Sequence, residues 1–545
     1  TRKELEEIKD DDEEIKDRFY SSLEFGTAGL RGKLGAGTNR MNEYMVAQAT
    51  QGFADTIAEM GEDAKKAGVA ISYDVRHKSE EFAKITAEVF AANGIKVYIY
   101  KEIEPTPVLS YTVRHLKTAA GVMITASHNP MEYNGYKAYN AEGSQILDET
   151  ADKILGHIAE HPDFFEIPRI DFEKGLADGI IEWVPDSVVE DYVKEILACT
   201  INEDVDKDIN IVYTPLNGTG NKLVRRILDE RGFKNIHVVA EQENPDPDFT
   251  TVGYPNPEMP AAFEYSEKLG KEVGADLLLA TDPDADRCAV EVNDGNGEFV
   301  FLTGNKIGAL LTNYILEALD KKGELSENGA VVKSIVTGDL IAPIANKYGV
   351  KKYDVLTGFK NIYAVANELE RTGDGKFIFG FEESIGYNYK DFVRDKDAVN
   401  SAMMIAEMAA YYKKQGKSLL DVLDDIYKEH GYYSNDVISI TLQGLDGKER
   451  IARIMEEFRN NPLESLADLE IVKIVDYKLD DTGLSKSNVL KYYFEDESWV
   501  AIRPSGTEPK IKLYINAVSK VNEKAADDKK DQLISQMQEI IDSVE

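Results

Sequence analysis

One pattern occurs three times along this chain, and few folds accommodate it: strand, polar loop, helix, glycine, strand. Residues 68–100 read as an apolar strand (Val69–Tyr73), a helix over Ser79–Ala92, Gly94, and a strand over Lys96–Tyr100. Residues 208–240 repeat it as Ile209–Tyr213, a helix over Gly220–Glu230, Gly232 and Ile236–Ala240. Residues 330–357 repeat it in shorter form, as Val331–Val336, a helix over Leu340–Lys347, Gly349 and Lys351–Leu356. A glycine where the chain leaves the helix, followed by a second strand, is the signature of a βαβ unit. Such units build parallel or mixed sheets covered by helices. Each unit is followed by another apolar strand that runs into a polar loop: Thr125–Pro130, Thr281–Arg287 and Phe381–Gly386. Ligands collect at the carboxyl ends of strands in open α/β sheets, so the three loops are expected to form walls of one cleft.

The end of the chain follows a different rule. After a helix over Leu419–Glu429 come alternating strands such as Val437–Leu442 and Ile471–Tyr477, a loop over Arg503–Lys512, and a final helix over Asp528–Ile541. The expected architecture is three similar α/β domains with mixed sheets plus a smaller C-terminal α+β domain around a central cleft. The expected division is 1–200, 201–304, 305–431 and 432–545. No Pro/Ser-rich or low-complexity tract separates these segments, which predicts close packing between them.

Composition closes off several classes. A formal net charge of −36 over 545 residues opposes nucleic-acid binding, which needs excess Lys and Arg. A small anionic ligand would still bind if a local basic cluster stood within the acidic body. Two cysteines, Cys199 and Cys288, make no disulfide framework, and no Cys/His spacing suits zinc. The charged start, Thr-Arg-Lys-Glu-Leu-Glu-Glu-Ile, has no apolar signal core, and no run of about 18 apolar residues follows. The expectation is a cytoplasmic protein with no membrane partner.

The loops carry the chemistry. Val122, Met123 and Ile124 deliver Ser127 into a polar turn beside His128 and Asn129, stopped by Pro130. This is a setting for nucleophilic chemistry, and it is also an ordinary Asx-Pro turn at a strand end. Asp282, Asp284 and Asp286 follow the apolar strand Leu277–Ala280 directly. Three carboxylates so close repel one another unless a cation sits among them, and all-oxygen ligation suits Mg²⁺ or Ca²⁺. An EF-hand fails, because Arg287 holds its glycine position and Asn293 its terminal glutamate position. Arg503-Pro-Ser-Gly-Thr-Glu-Pro-Lys-Ile-Lys512 assembles a guanidinium, hydroxyls, a glycine and amines, the parts of a phosphate cradle or of a polar hairpin. The glycine-rich run Gly26–Gly37 is no Walker A loop, since Thr27 replaces its first glycine and Leu34 follows Lys33. Arg31 within it points at an anion or belongs to a plain flexible turn.

Thr-Ala-Ser-His-Asn-Pro, Asn134-Gly-Tyr-Lys137, Asp-Pro-Asp-Ala-Asp-Arg, Glu382-Glu-Ser384 and Arg-Pro-Ser-Gly-Thr, in this order, resemble the α-D-phosphohexomutases. Within them the chain is most similar to the branch of phosphoglucomutases and phosphopentomutases, from about Phe25 to Tyr514. The resemblance implies three α/β domains and a C-terminal domain around one cleft. It makes Ser127 the phosphoserine and gives Asp282, Asp284 and Asp286, with the Ser127 phosphate, to Mg²⁺. Arg31, His128, Lys137 and Arg287 would surround the transferring phosphoryl group, with His128 or Lys137 moving the proton. Glu382, Ser384 and Thr357 would line the sugar wall, Lys396 would add a cation, and Arg503, Ser505, Gly506 and Thr507 would grip the phosphate that is not reacting.

The implied reaction interconverts glucose 1-phosphate and glucose 6-phosphate through glucose 1,6-bisphosphate, in a monomer, with pentose or mannose phosphates as alternative substrates. One departure stands out: Phe381 occupies the family's usual glycine before Glu-Glu-Ser, which is expected to reshape the sugar wall. Rivals are weaker. A haloacid-dehalogenase-type phosphatase with Asp282 as nucleophile lacks the Gly-Thr that follows its second Asp. A cation-binding or sugar-phosphate-binding protein leaves Ser127 and His128 without a task. A serine hydrolase lacks its Gly-x-Ser-x-Gly elbow.

Overall fold

The computed structural model describes residues 1–26, 29–442, 445–505 and 510–544. Two compact units emerge, Thr1–Ile307 with Phe359–Ser418, and Gly308–Gly358 with Leu419–Glu545.

The first unit holds two sheets built on one plan. In the first, Val69–Tyr73 pairs in parallel with Val97–Ile99 on one side and Ala120–Ile124 on the other. Tyr133–Asn140 then adds antiparallel to Ala120–Ile124, Leu30–Lys33 adds antiparallel beyond it, and Ile181–Trp183 closes the opposite edge in parallel. In the second sheet, Asn210–Thr214 stands between Asn235–Val238 and Leu277–Thr281, both parallel to it. Cys288–Asn293 and Phe299–Leu302 continue that sheet antiparallel. The central strands are buried along their whole length, as strands covered by helices on both faces must be. The third copy supplies an antiparallel hairpin to this unit, Lys376–Glu382 with Gly386–Tyr389. It also supplies the helix Ala398–Lys413, whose Ala- and Met-rich sequence is apolar all round and almost wholly buried. Glu407 on that helix is satisfied by the N–H groups of Ile201 (3.0 Å) and Asn202 (2.9 Å) and by Arg231 (2.8 Å).

The second unit holds the parallel pair Gly329–Ser334 and Lys351–Val355. It also holds an antiparallel sheet in the order Tyr432–Thr441, Lys510–Ser519, Trp499–Pro504, Leu490–Phe494, Leu469–Asp476, Ser465–Leu466. Leu533, Met537 and Ile541 of the last helix pack with Ile454, Met455 and Phe458 on its apolar face. The molecule is thus three α/β domains with mixed sheets followed by a C-terminal α+β domain.

The repeat matches the sequence expectation closely. Val69–Tyr73 and the helix Ser79–Ala92 fall where expected. Gly94, Gly232 and Gly349 leave their helices at φ of 72°, 79° and 67°, the left-handed exit that a side chain disfavours. The last helix is longer than expected, Glu523–Ser543. Asn522 caps it by accepting from the Ala525 N–H at 2.8 Å, and its charged first turn conceals the start from apolar periodicity. Cys199 and Cys288 are buried free thiols. Among the described residues, no helix is long and apolar enough to cross a membrane.

Candidate active site

Three loops of the first unit converge. The Ser127 loop leaves Ala120–Ile124, the carboxylate loop leaves Leu277–Thr281, and the Glu382–Ser384 turn joins the third hairpin. Ser127 is buried and donates to Asp282 Oδ2 at 2.9 Å, while His128 Nδ1 lies 3.3 Å from the same hydroxyl. The Asp282 Oδ1 accepts the N–H groups of Asp286 (3.1 Å) and Arg287 (3.0 Å), so the loop curls around its first carboxylate. Lys137, on the strand after Ser127, donates to Asp284 at 2.8 Å and to Asp286 at 3.3 Å. Lys396 lies 3.2 Å from Asp286 and is held by Asp395 at 3.1 Å. Arg287 pairs with Glu258 at 3.0 Å and donates to the Ser384 carbonyl at 3.4 Å, tying the carboxylate loop to the third hairpin. Arg31 lies 3.5 Å from the Asn129 side-chain oxygen.

Electrostatics sort these groups. Burial pushes the Asp282 carboxyl well above its ordinary value, and Asp284 and Asp286 push it the same way. Burial drives Asp284 up too, but Lys137 and the Thr106 hydroxyl outweigh it and hold it below the usual range. Asp286 is likewise held down by Lys396 and Lys137 against burial and Asp284. Burial, Arg287 and Arg31 push the His128 imidazole well down, so it is neutral near pH 7.

The triplet fits a hard divalent cation. One oxygen from each of Asp282, Asp284 and Asp286 lies within 4.8 Å of the others. Asp284 Oδ1 and Asp286 Oδ1 are buried with no hydrogen-bond donor among the described residues, which is costly unless a cation takes them.

Thr357, Arg503 and Ser505 belong to the second unit. There Arg503 pairs across the sheet with Lys512, and the Ser505 N–H donates to the Lys510 carbonyl at 2.8 Å. Gly506 and Thr507 lie outside the described residues. The Phe381 ring is buried and stacks on Phe379 (5.7 Å) and Tyr387 (6.5 Å).

The structure adds residues that the motifs did not show. The Thr106 hydroxyl donates to Asp284 at 2.8 Å, and Arg76 lies buried behind the Ser127 loop. The signal for Arg76 was its place: Asp74-Val75-Arg76 follows the first strand of the first repeat, at the carboxyl end where ligand loops form.

Residues 22–163, 190–295 and 303–430 match alpha/beta/alpha domains I, II and III of the phosphoglucomutase/phosphomannomutase family, and 446–532 match its C-terminal domain. The chain belongs to the phosphoglucomutase/phosphomannomutase family. A phosphoglucomutase of Staphylococcus epidermidis is 39% identical over 519 residues, covering 92% of each chain. The fold recurs in parafusin, a phosphoglucomutase from Paramecium solved in an open form. That match has a TM-score of 0.71 and 18% identity over 96% of each chain. The fold also recurs in Aspergillus fumigatus N-acetylphosphoglucosamine mutase, solved with GlcNAc-6P and magnesium. Its TM-score is 0.52 and its identity 12%, again over 96% of each chain. In this family the four matched segments follow the same order as the motifs that suggested it.

Proposed function

We propose that this phosphohexomutase interconverts glucose 1-phosphate and glucose 6-phosphate, with Ser127 as phosphoryl carrier and glucose 1,6-bisphosphate as intermediate. One observation carries the reading: the Ser127 hydroxyl stands 2.9 Å from the first of three clustered carboxylates, with Lys137 and Lys396 on the other two. The 39%-identical phosphoglucomutase supports glucose phosphates as substrates.

A phosphoserine and a sugar phosphate each carry about −1.5 to −2 charge at neutral pH, so their approach must be neutralised. Lys137, Arg287 and Lys396 supply positive charge already oriented by the carboxylates they pair with, and Arg31, beside the Asn129 amide oxygen, adds another. Asp282, Asp284 and Asp286, with the phosphate on Ser127, would hold Mg²⁺, which neutralises charge on the transferring oxygens when bound.

In the first transfer the 6-hydroxyl of glucose 1-phosphate attacks the phosphorus on Ser127, and the bond from Ser127 Oγ to phosphorus breaks. Neutral His128 takes the hydroxyl proton and delivers it to the leaving Ser127 Oγ, 3.3 Å from its Nδ1, while Lys137 stays protonated between two aspartates and holds charge. The bisphosphate then turns end for end. Ser127 Oγ attacks the phosphorus on C1, the bond from the C1 oxygen to phosphorus breaks, and the Oγ proton passes through His128 to that oxygen, releasing glucose 6-phosphate. Glu382, Ser384 and Thr357 hold sugar hydroxyls. Arg503, Ser505, Gly506 and Thr507 hold whichever phosphate is idle, a task that demands acceptance of either end of the sugar.

A coupled assay of glucose 1-phosphate turnover, with Mg²⁺ and a trace of the bisphosphate, tests the proposal. Ser127→Ala is expected to abolish turnover. Full isomerase activity in Ser127→Ala would end the phosphoserine mechanism, and phosphate release without isomerisation, lost on Asp282→Asn and kept on Ser127→Ala, would favour an aspartate-nucleophile phosphatase. Mannose 1-phosphate and ribose 1-phosphate in the same assay rank the substrates.

A further inference from the structure

Arg76 is buried and directs its guanidinium at the backbone of the Ser127 loop. Its Nη2 donates to the carbonyls of Ser127 (2.6 Å) and Asn129, and its Nη1 to those of Pro130 (2.8 Å) and Tyr133 (3.2 Å). Its Nε lies 3.2 Å from Asp74 Oδ2. Asp74 in turn accepts from the hydroxyls of Thr125 (2.6 Å) and Ser79 (2.7 Å). The Phe249 ring covers the guanidinium face at 5.0 Å.

Ser127 sits at φ +53°. A residue with a side chain keeps that left-handed conformation only where its surroundings impose it. Here they grip both flanking peptides: Thr125 Oγ1 accepts the Ser127 N–H at 2.8 Å, and Arg76 holds the Ser127 carbonyl.

We propose that Arg76 is the positioning residue for phosphoryl transfer at Ser127. Its fork fixes the carbonyls of Ser127, Asn129, Pro130 and Tyr133, imposes the turn at Ser127 and thereby aims the Oγ at the carboxylate triplet. A lysine cannot substitute, because one ammonium does not bridge carbonyls on both sides of a loop while pairing with Asp74. The inference rests on Ser127 being the phosphoryl carrier. A plain core ion pair with Asp74 would use the charge of Arg76 without needing the loop.

The test compares the full chain with Arg76→Lys, using hydrogen–deuterium exchange, kinetics and thermal unfolding. Exchange in the 125–133 segment is expected to quicken by about tenfold while the 277–287 segment is unchanged. The kcat for glucose 1-phosphate is expected to fall about 100-fold, with KM within about threefold of wild type. A folded Arg76→Lys protein with wild-type exchange in 125–133, or with kcat within about threefold, overturns the proposal. Should Arg76→Lys not fold, Phe249→Leu, which uncovers the guanidinium but keeps it, is expected to shift exchange and kcat the same way by about threefold. No change in either then overturns it. Failure of the carrier reading is separable: wild-type chain incubated with glucose 1,6-bisphosphate would carry no phosphate on Ser127, while the exchange result needs no turnover.

Discussion

Ser127 Oγ donates to Asp282 Oδ2 at 2.9 Å, joining loops 155 positions apart in the chain. The contact sets equivalent strand ends of two repeats face to face and places a hydroxyl against carboxylates that repel one another. That repulsion makes the site a poor structural element and a good receptor for charge.

Replacing Asp282 with Asn separates these roles. The amide keeps an acceptor for the Asp286 and Arg287 N–H groups and removes a charge that burial and its neighbours disfavour. The metal-free protein is expected to melt no lower than wild type, while activity falls about 10²–10³-fold. Thermal unfolding with and without MgCl₂ checks the second half. Wild type gains stability, about 2.7 kcal/mol when the ion stands at a hundred times its Kd, and Asp282→Asn gains little.

Phe381 belongs to the core. Phe381→Ala removes a ring stacked between Phe379 and Tyr387 and is expected to cost about 3–5 kcal/mol in denaturant unfolding. Below the unfolding transition, KM for glucose 1-phosphate is expected to stay within about threefold; a larger change would return Phe381 to the sugar wall.

The N-terminal helices brace the glycine-rich run. Glu4 accepts the Ala36 N–H at 3.1 Å and pairs with Arg18, which donates to the Ala36 carbonyl at 3.2 Å. Gly37, at φ 134°, is glycine because a Cβ there would stand 2.6 Å from the Arg18 carbonyl oxygen. Burial raises the Glu4 carboxyl, but Arg18 and the Ala36 N–H outweigh it and hold the group below its ordinary value. A lowered carboxyl contributes stability above the unfolded pKa and loses it as pH falls through the folded one. Glu4→Gln should therefore melt lower than wild type near pH 7, by less than about 1 kcal/mol for a half-exposed pair. The gap should close on acidification; a gap that widens contradicts the assignment.

Lys491 runs the other way. It is buried under Trp499 (3.7 Å to the ring centre) and Tyr493 (4.9 Å), and donates to the Ile335 carbonyl at 2.6 Å. Burial and Lys333, with Lys352 adding to them, outweigh Asp339 and Asp354 and push its amine down to about 7. A base with a depressed folded pKa destabilises the protein below that value. The penalty eases as pH rises from about 7 towards the unfolded value near 10.4. Lys491→Met is expected to melt higher than wild type at pH about 6, by about 2–4 °C for each kcal/mol regained, with the difference shrinking towards pH about 10. Melting curves of both proteins across that range decide it.

The parts legible in the sequence were those with a local cause. Apolar runs and exit glycines located the repeats, and consecutive polar residues at strand ends located Ser127 and the aspartates. Arg76 is legible only by its place at a strand end; its partners, backbone carbonyls fifty residues on, are revealed by no spacing. Thr106 is hidden likewise: a lone hydroxyl between prolines gains its meaning only when Asp284 arrives beside it. Phe381 stands out in the sequence only as a departure within a motif, and its stacking on Phe379 and Tyr387 depends on a hairpin register that no spacing reveals. The last helix was cut short because its capped first turn is charged.

Phosphate mapping on the protein itself tests the central claim most directly. The chain is incubated with glucose 1,6-bisphosphate and Mg²⁺, digested, and its phosphopeptides are sequenced. A single phosphoryl group on Ser127, discharged when glucose 1-phosphate is added in excess, is the predicted result. Phosphate on Asp282, or turnover of glucose 1-phosphate with Ser127 never phosphorylated, would contradict it.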